Sequence, residues 1–457
     1  MQKLLTPIIP SKVVFTGVEK ALDYKAICVF SALGFFLDED TYFLEQKALK
    51  PATKYKIDKG EPIEEAPYFK WNYSPVERPL KEIVEEFAVL FEQIIEEQTG
   101  DRKVILPLSG GLDSRTQACA LKHLNKDVSA YSYAFQGGHD ETEYSKKIAE
   151  VCGFPFKGMR IPDGYLWDTI DVLAKINSCY SEFTHPRQMA FINEYAKMGD
   201  VFSLGHWGDV LFDDMGVADD LTLDQQVAFL FKKVIKKGGL ELAIALWKEW
   251  KIEGDFDAYL YDRLKSLLLK IDIPQSANAQ IRAFKSLYWA PRWTSVNLTV
   301  FEHERPIQLP YYDNRMCEFI CTVPEKYLAG RQIQIEYLKM RNPGLAKIVW
   351  QGQKPFNLYN YHYNKKPYNI PYRILDKVRR TLKPHKHIER NWELQFLGPE
   401  NEKQLKDRLF ENEKMNAIIP THLTNKFYEK FKSVNDVYYS HPVSMLLTLS
   451  LFFKHNQ

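Results

Sequence analysis

The residues best equipped for chemistry stand together at Ser109-Gly110-Gly111-Leu112-Asp113-Ser114. Two consecutive glycines allow a tight turn and bring backbone N–H groups close to an anion with no Cβ in the way. A helix beginning at that point adds free N–H groups and its positive dipole end. Ser109 and Ser114 supply hydroxyl donors, and Asp113 is placed to hold a divalent cation that bridges phosphate oxygens. The turn has no lysine, so it is not the Gly-x4-Gly-Lys-Ser/Thr loop that handles a γ-phosphate. Its design suits cleavage of a nucleotide to AMP and pyrophosphate.

Such a turn must be carried by a strand and a helix, and the pattern supplies both. Val104 to Leu108 is a short apolar strand, and a helix is expected from about Ser114 to Leu124. Ahead of it, Leu80, Ile83, Val84, Phe87, Leu90, Phe91, Ile94 and Ile95 recur at helical spacing over Leu80–Gln98. Behind it, Val128–Phe135, Phe156–Ile161 and Val201–Leu204 read as strands. Glu141–Cys152, Tyr165–Lys175 and Arg187–Met198 read as helices. This alternation predicts an α/β fold, a parallel sheet of five-stranded type with helices on both faces. Ligands on such sheets bind beyond the carboxyl ends of the strands.

Three regions are expected. Residues 1–75 hold short apolar runs, including Lys12–Thr16, Ala26–Phe30, Thr41–Leu44 and Thr53–Ile57, and read as a small β-rich appendage with one helix. Residues 76–220 form the α/β core. Residues 221–457 are a mainly helical extension, with helices at Leu223–Lys236 and Leu240–Trp250 and a basic run at 365–390. That run reads either as a solvated helix face or as a lid or docking surface for an anionic ligand.

Composition limits the function classes. The 457 residues carry a formal charge of +2, 45% hydrophobic and 26% charged side chains, which argues against disorder and against a dedicated nucleic-acid binder. No apolar stretch is long enough to span a bilayer. Six scattered cysteines suggest reduced, mostly buried thiols, and a cytoplasmic protein is the expectation.

Ser-Gly-Gly-Leu-Asp-Ser resembles the pyrophosphatase-loop (PP-loop) signature of the adenine-nucleotide α-hydrolase superfamily, and the order of features around it resembles the synthetase domain of asparagine synthetases. Asp140-Glu-Thr-Glu-Tyr through Gly153 fits that pattern. Gly205-His206-Trp207-Gly208-Asp209 is similar to the family's Gly-Glu-Gly-Ala/Ser-Asp. Leu309-Pro310-Tyr-Tyr-Asp313 is similar to its Val-Pro-Phe-Leu-Asp, and Leu345-Ala346 with Lys354 to its Leu-Pro…Arg-x-Lys. The region 36–57 resembles the last part of a glutaminase domain.

The resemblance implies ATP and Mg2+ as cofactors, adenylation of a carboxylate, and attack on the acyl-adenylate by an amine or ammonia. It places pyrophosphate on Ser109, Gly110, Gly111, Asp113 and Ser114, and Mg2+ on Asp113 and Asp209. Leu108, Tyr133, Phe135 and Gly205 would line the adenosine.

The departures shape the expectation. The family's glutaminase nucleophile, a cysteine at position 2, is Gln2 here, so glutamine hydrolysis is not expected and nitrogen would come from an amine, ammonia or a separate amidotransferase. The family's glutamate before the aspartate is His206, a candidate base or a polar rim residue. The family's catalytic lysine falls on Gln334, with Arg331 and Lys339 as the neighbouring cations. The carboxylate, peptide or sugar substrate is not specified. The alternatives are a catalytically silent ATP-binding or scaffold protein, or another PP-loop enzyme such as a tRNA thiolase or an NAD synthetase.

Overall fold

Val104 to Pro107 forms β4, the middle strand of a five-stranded parallel sheet, because its first three residues are buried and it pairs on both sides. The structure, a computed structural model, describes residues 4–5, 21–58, 61–136, 142–183, 187–381 and 395–455. Gln2, the Lys12–Thr16 run, Asp140, Glu141 and the end of the basic run, 382–390, lie outside the described residues.

The strands in chain order are β1 (Leu4–Leu5), β2 (Thr53–Asp58), β3 (Glu61–Pro67), β4, β5 (Val128–Phe135), β6 (Phe156–Ile161), β7 (Val201–Ser203) and β8 (Ile307–Gln308). The first three form a small antiparallel sheet. The other five are all parallel, in the order β6-β5-β4-β7-β8. The chain therefore steps from β4 outward to β5 and β6, then returns past β4 to β7. Right-handed crossovers in opposite directions put their helices on opposite faces. The loops after β4 and β7 part company at that reversal and open a crevice at the carboxyl edge.

The connecting helices are α1 (Tyr24–Leu33), α2 (Leu80–Thr99), α3 (Asp113–His123), α4 (Thr142–Cys152) and α5 (Tyr165–Asn177). Helix α2 buries the periodic face read from sequence, including Ile83, Phe87, Phe91 and Ile94. On that face Glu92 accepts from the Tyr337 hydroxyl at 2.9 Å and from the Arg341 guanidinium at 2.8 and 2.9 Å. These bonds fasten the helix Gln332–Arg341 across α2.

The local detail departs from the sequence reading at several points. Ala26–Phe30 is part of the helix expected in the appendage, α1, in which every residue from Ala26 to Leu33 is buried. A continuous apolar run does not distinguish a strand from a helix buried on all sides. The Asp23 side chain, accepting from the Ala26 N–H, starts it. Thr41–Leu44 forms no strand, and Phe43 makes only an isolated bridge to Leu22. Arg187–Met198 is a 3-10 turn, Arg187–Phe191, followed by one turn of α-helix, Ile192–Tyr195. β8 was not foreseen, because two residues carry no periodicity.

After residue 221 the described chain is almost wholly helical, apart from β8. It includes a ten-residue π-helical stretch, Lys285–Thr294, with Pro291 inside it. All six cysteines are buried and unpaired, and no helix among the described residues is long and apolar enough to cross a membrane.

Two buried polar anchors join the helical extension to the rest of the chain. Arg282 forks onto Glu325 at 2.6 and 2.8 Å and also donates to the carbonyls of Val210 and Asp213 beyond β7. His441 lies 3.0 Å from the Ser31 carbonyl at the end of α1, and burial pulls its pKa down to about 4.

Arg282→Ala leaves Glu325 buried and unpaired, so urea unfolding should show a loss of about 3–5 kcal/mol, with a smaller loss in the Arg282→Met, Glu325→Leu double variant. His441 is held neutral by the fold, so its contribution is present above its ordinary value of 6.5 and lost as the pH falls towards about 4. Urea midpoints between pH 7 and 4 should therefore fall less steeply for His441→Gln than for the parent.

Candidate functional site

The Gly-Gly turn leaves β4 at Leu108, whose N–H donates to Tyr131 O at 2.7 Å and whose carbonyl accepts from the Ser145 hydroxyl at 3.0 Å. Ser109 and Ser114 lie across the turn with their hydroxyls 3.1 Å apart, and the Ser114 hydroxyl accepts from the Ser109 N–H at 3.1 Å. Ser109 is exposed, and Gly111 faces open space apart from the Ser109 hydroxyl. One side of the turn thus opens to solvent at Ser109, with the Gly111 N–H, the Ser109 N–H and the two serine hydroxyls bonded to one another at the start of α3.

The other side is sealed. Gln351 packs on Gly110 so closely that a Cβ there would lie 2.3 Å from its Oε1, which is why only glycine fits. Arg115, fully buried, spreads its guanidinium over the carbonyls of Gly110, Leu345, Ile348 and Val349 at 3.0–3.4 Å. A planar fork with five donors can bridge four carbonyls; an ammonium cannot. Sequence reading gave Arg115 no role, although it directly follows the motif.

Asp113 points away from Ser109, towards the second loop. Its Oδ1 pairs with the Arg331 guanidinium and accepts from the Gln334 amide at 3.1 Å. Gln334 also donates to the Tyr311 hydroxyl at 2.9 Å and accepts from Arg331 Nε at 2.7 Å, and Tyr311 in turn donates to the Asp113 carbonyl at 3.1 Å. Burial, with Asp209 adding to it, pushes Asp113 up to about 6 against the pull of Arg331 and Gln334. Room for this carboxylate exists because residue 208 is glycine: a Cβ there would lie 2.3 Å from Asp113 Oδ1.

The loop after β7 supplies the opposite wall. Gly205 lies against the first turn of α3, where a Cβ would come within 3.1 Å of the Ser114 nitrogen. Trp207 has φ of +76°, a backbone state that suits the family's glycine and strains a tryptophan. Its indole N–H donates to the Ser286 hydroxyl at 3.0 Å. Asp209 is exposed and makes no hydrogen bond through its side chain among the described residues. Nδ1 of His206 is buried without a partner, its ring stands 6.5 Å from that of Phe301, and burial holds it down at about 4, neutral.

The other sequence-derived residues divide. Tyr133 and Phe135 lie at the carboxyl end of β5, where Phe135 is buried beside Tyr165 and beneath the Arg187 guanidinium, 5.9 Å from its ring. Arg331 reaches the site, with φ of +63° after Gly330. Lys339 does not: it pairs with Glu336 at 2.8 Å and lies over the Tyr359 ring.

One cation was missed. Lys285, at the start of the π-helical stretch and next to the Ser286 that holds Trp207, is lowered by burial and drawn back up by Asp209. No motif marks it, and it meets Asp209 only through the tertiary fold. π-Helical turns are often found at functional sites.

Asp113, raised chiefly by burial, and Asp209 interact electrostatically across the crevice and together offer carboxylate oxygens to a divalent cation, in competition with Arg331. Mg2+ is usually held by one or two carboxylates together with phosphate oxygens and water, and Asp113 with Asp209 meets that requirement. Among the described residues no group of three or more such ligands exists, so the phosphates would have to complete the set.

Comparisons with known proteins find likeness to synthetases. Residues 86–213 match the family described as asparagine synthase. Asparagine synthetase [glutamine-hydrolyzing] 1 of Bacillus subtilis (strain 168) is 25% identical over 134 residues, 29% of this chain and 21% of the relative, so the match spans about a fifth of that protein's length. Among solved structures, NMN synthetase from Francisella tularensis is similar over 51% of this chain and 98% of its own, at 16% identity and a TM-score of 0.23. The stretch similar to the asparagine synthase family, residues 86–213, runs from within α2 to the loop beyond β7.

Proposed function

We propose that this chain is an ATP-dependent carbon–nitrogen ligase that adenylates a carboxylate and passes the acyl group to an amine or to ammonia. The observation that carries the reading is the convergence, at the reversal between β4 and β7, of the Ser109–Ser114 turn, the carboxylates of Asp113 and Asp209, and the cations of Arg331 and Lys285. A carboxylate oxygen of the substrate attacks the α-phosphorus, and the bond from that phosphorus to the bridging oxygen breaks. Pyrophosphate leaves with the bonding pair. The amine nitrogen then adds to the acyl carbon, and AMP departs.

The turn after β4 holds the β- and γ-phosphates through its N–H groups and hydroxyls. Asp113 and Asp209 would hold Mg2+, which when bound neutralises charge on the departing pyrophosphate. Arg331 offers a guanidinium where the family has a lysine one turn further on, and Lys285 offers a second positive charge beside Asp209. His206, with its Nδ1 buried and its pKa held down to about 4, is a poor proton acceptor and serves as a polar residue at the rim of the site. The carboxyl end of β5, with Tyr133 and Phe135, would receive the adenosine.

One observation favours a second reading, a nucleotide-binding protein without turnover. Arg331 and Gln334 already occupy the Asp113 carboxylate, so metal binding must compete with them.

ATP–pyrophosphate exchange, screened over amino acids, sugar acids and peptides, separates the two. The ligase reading expects exchange with at least one carboxylate and a fall of about 100-fold or more in Asp209→Asn. Nucleotide binding without exchange, unchanged by Asp209→Asn, would establish the silent reading instead. Gly208→Ala forces the Asp113 carboxylate off Arg331, so calorimetry of MgATP binding should show altered magnesium dependence and thermal unfolding a loss of about 1–3 kcal/mol.

A further inference from the structure

The segment that seals Gly110 runs on into the helix Ile370–Thr381, which stands on the surface. Ile370, Ile374, Leu375 and Val378 fall on one side of this helix, and all four are exposed, Ile374 and Leu375 at 57% each. An aliphatic row this open is unusual for a protein surface in water. The approach to the helix adds three exposed rings, Tyr359, Tyr363 and Tyr368. Lys377 and Arg373 flank the row on its Ile370 side, about 20° and 60° round the helix from Ile370. Residues 365–381 carry six Lys or Arg against Asp376 alone.

We propose that this helix docks the protein on an anionic lipid bilayer. Twelve residues rise only about 18 Å, too short to span the hydrocarbon but long enough to lie in the interface. An aliphatic face enters the boundary between headgroups and acyl chains while Lys377 and Arg373, at its flank, remain among the phosphates. Tyrosine rings settle at the headgroup level. The chemistry of the exposed row selects this occupant over a nucleic acid, because Ile, Leu and Val offer no planar surface for stacking bases. The excess of positive charge selects an anionic surface over a neutral one.

The test is flotation of the full chain with phosphatidylcholine vesicles prepared with and without phosphatidylglycerol. Capture by the anionic vesicles alone, weakening as salt rises, is the expected result. Ile374→Glu combined with Leu375→Glu should lower the bound fraction about tenfold or more, and Arg373→Glu should lower it and flatten the salt dependence. These positions are exposed, so both variants should keep the parent's thermal midpoint and its pyrophosphate exchange. Failure of docking is thereby distinguishable from failure of the ligase reading. Absence of capture by either vesicle would overturn the proposal. So would capture that is equal on both vesicles, or that survives the Ile374→Glu, Leu375→Glu change.

Discussion

A carboxylate drawn out of water needs a positive partner, and the crevice is arranged around that need at Asp113. Burial and the nearby Asp209 both oppose its ionisation, so its charge persists only where donors converge on it. Arg331 and Gln334 converge from a helix more than two hundred residues away in sequence, and Tyr311 closes the ring by binding the backbone of the same residue. Glycine at 208 follows from the same requirement, because any side chain would occupy the space the carboxylate needs. Gly330, with φ of +70°, and Arg331 bend the chain in the left-handed region so that the guanidinium can turn inward. Each of these features makes sense as a consequence of where one negative charge is held.

The two halves of this arrangement were unequally legible in the sequence. Strand β4, the turn and α3 were readable because local signals agree: a short apolar run, two glycines, then an acidic first turn. The four longer strands of the parallel sheet were readable because apolar or alternating short runs are closed by turn residues. Helix α1 was readable only as one helix somewhere in the appendage, since a run of eight buried residues has no polar face to reveal its period. β8 was not, since its place at the sheet edge is settled by pairing with β7 and not by its own two residues.

Side-chain roles followed the same division. Arg331 was within reach of sequence reasoning because the offset from Gln334 could be counted, and the αL turn at Gly330–Arg331 explains how a cation outside the expected helical position still arrives. The offset alone gave Lys339 equal standing, but the helix presents it to Glu336 and Tyr359 instead. Lys285 and Arg115 were silent for a physical reason. Arg115 has no acidic partner to suggest its place; four main-chain carbonyls satisfy it. Lys285 gains its position from π-helical winding, which shifts side chains out of the 3.6-residue register on which pattern reading depends.

The Arg115 clamp has a mechanical implication for the chain that follows it. Residues 345–349 are tied to the turn by the same guanidinium that holds the Gly110 carbonyl, and the Gln351 N–H donates to that carbonyl as well. From there Trp350 is bonded to Phe356 and Leu358 to Ala346 through main-chain hydrogen bonds, which fold the strap back on itself. Asn364 continues the chain of contacts by reaching Gln353 at 2.7 Å and Asn369 at 3.0 Å. Asn369 is buried and immediately precedes the exposed helix. An unbroken series of short-range hydrogen bonds therefore links the sealed face of the anion turn to the first residue of the surface helix. Displacement at either end has to strain or break one of those bonds, so the strap acts as a cover for the turn and as the base on which the helix stands.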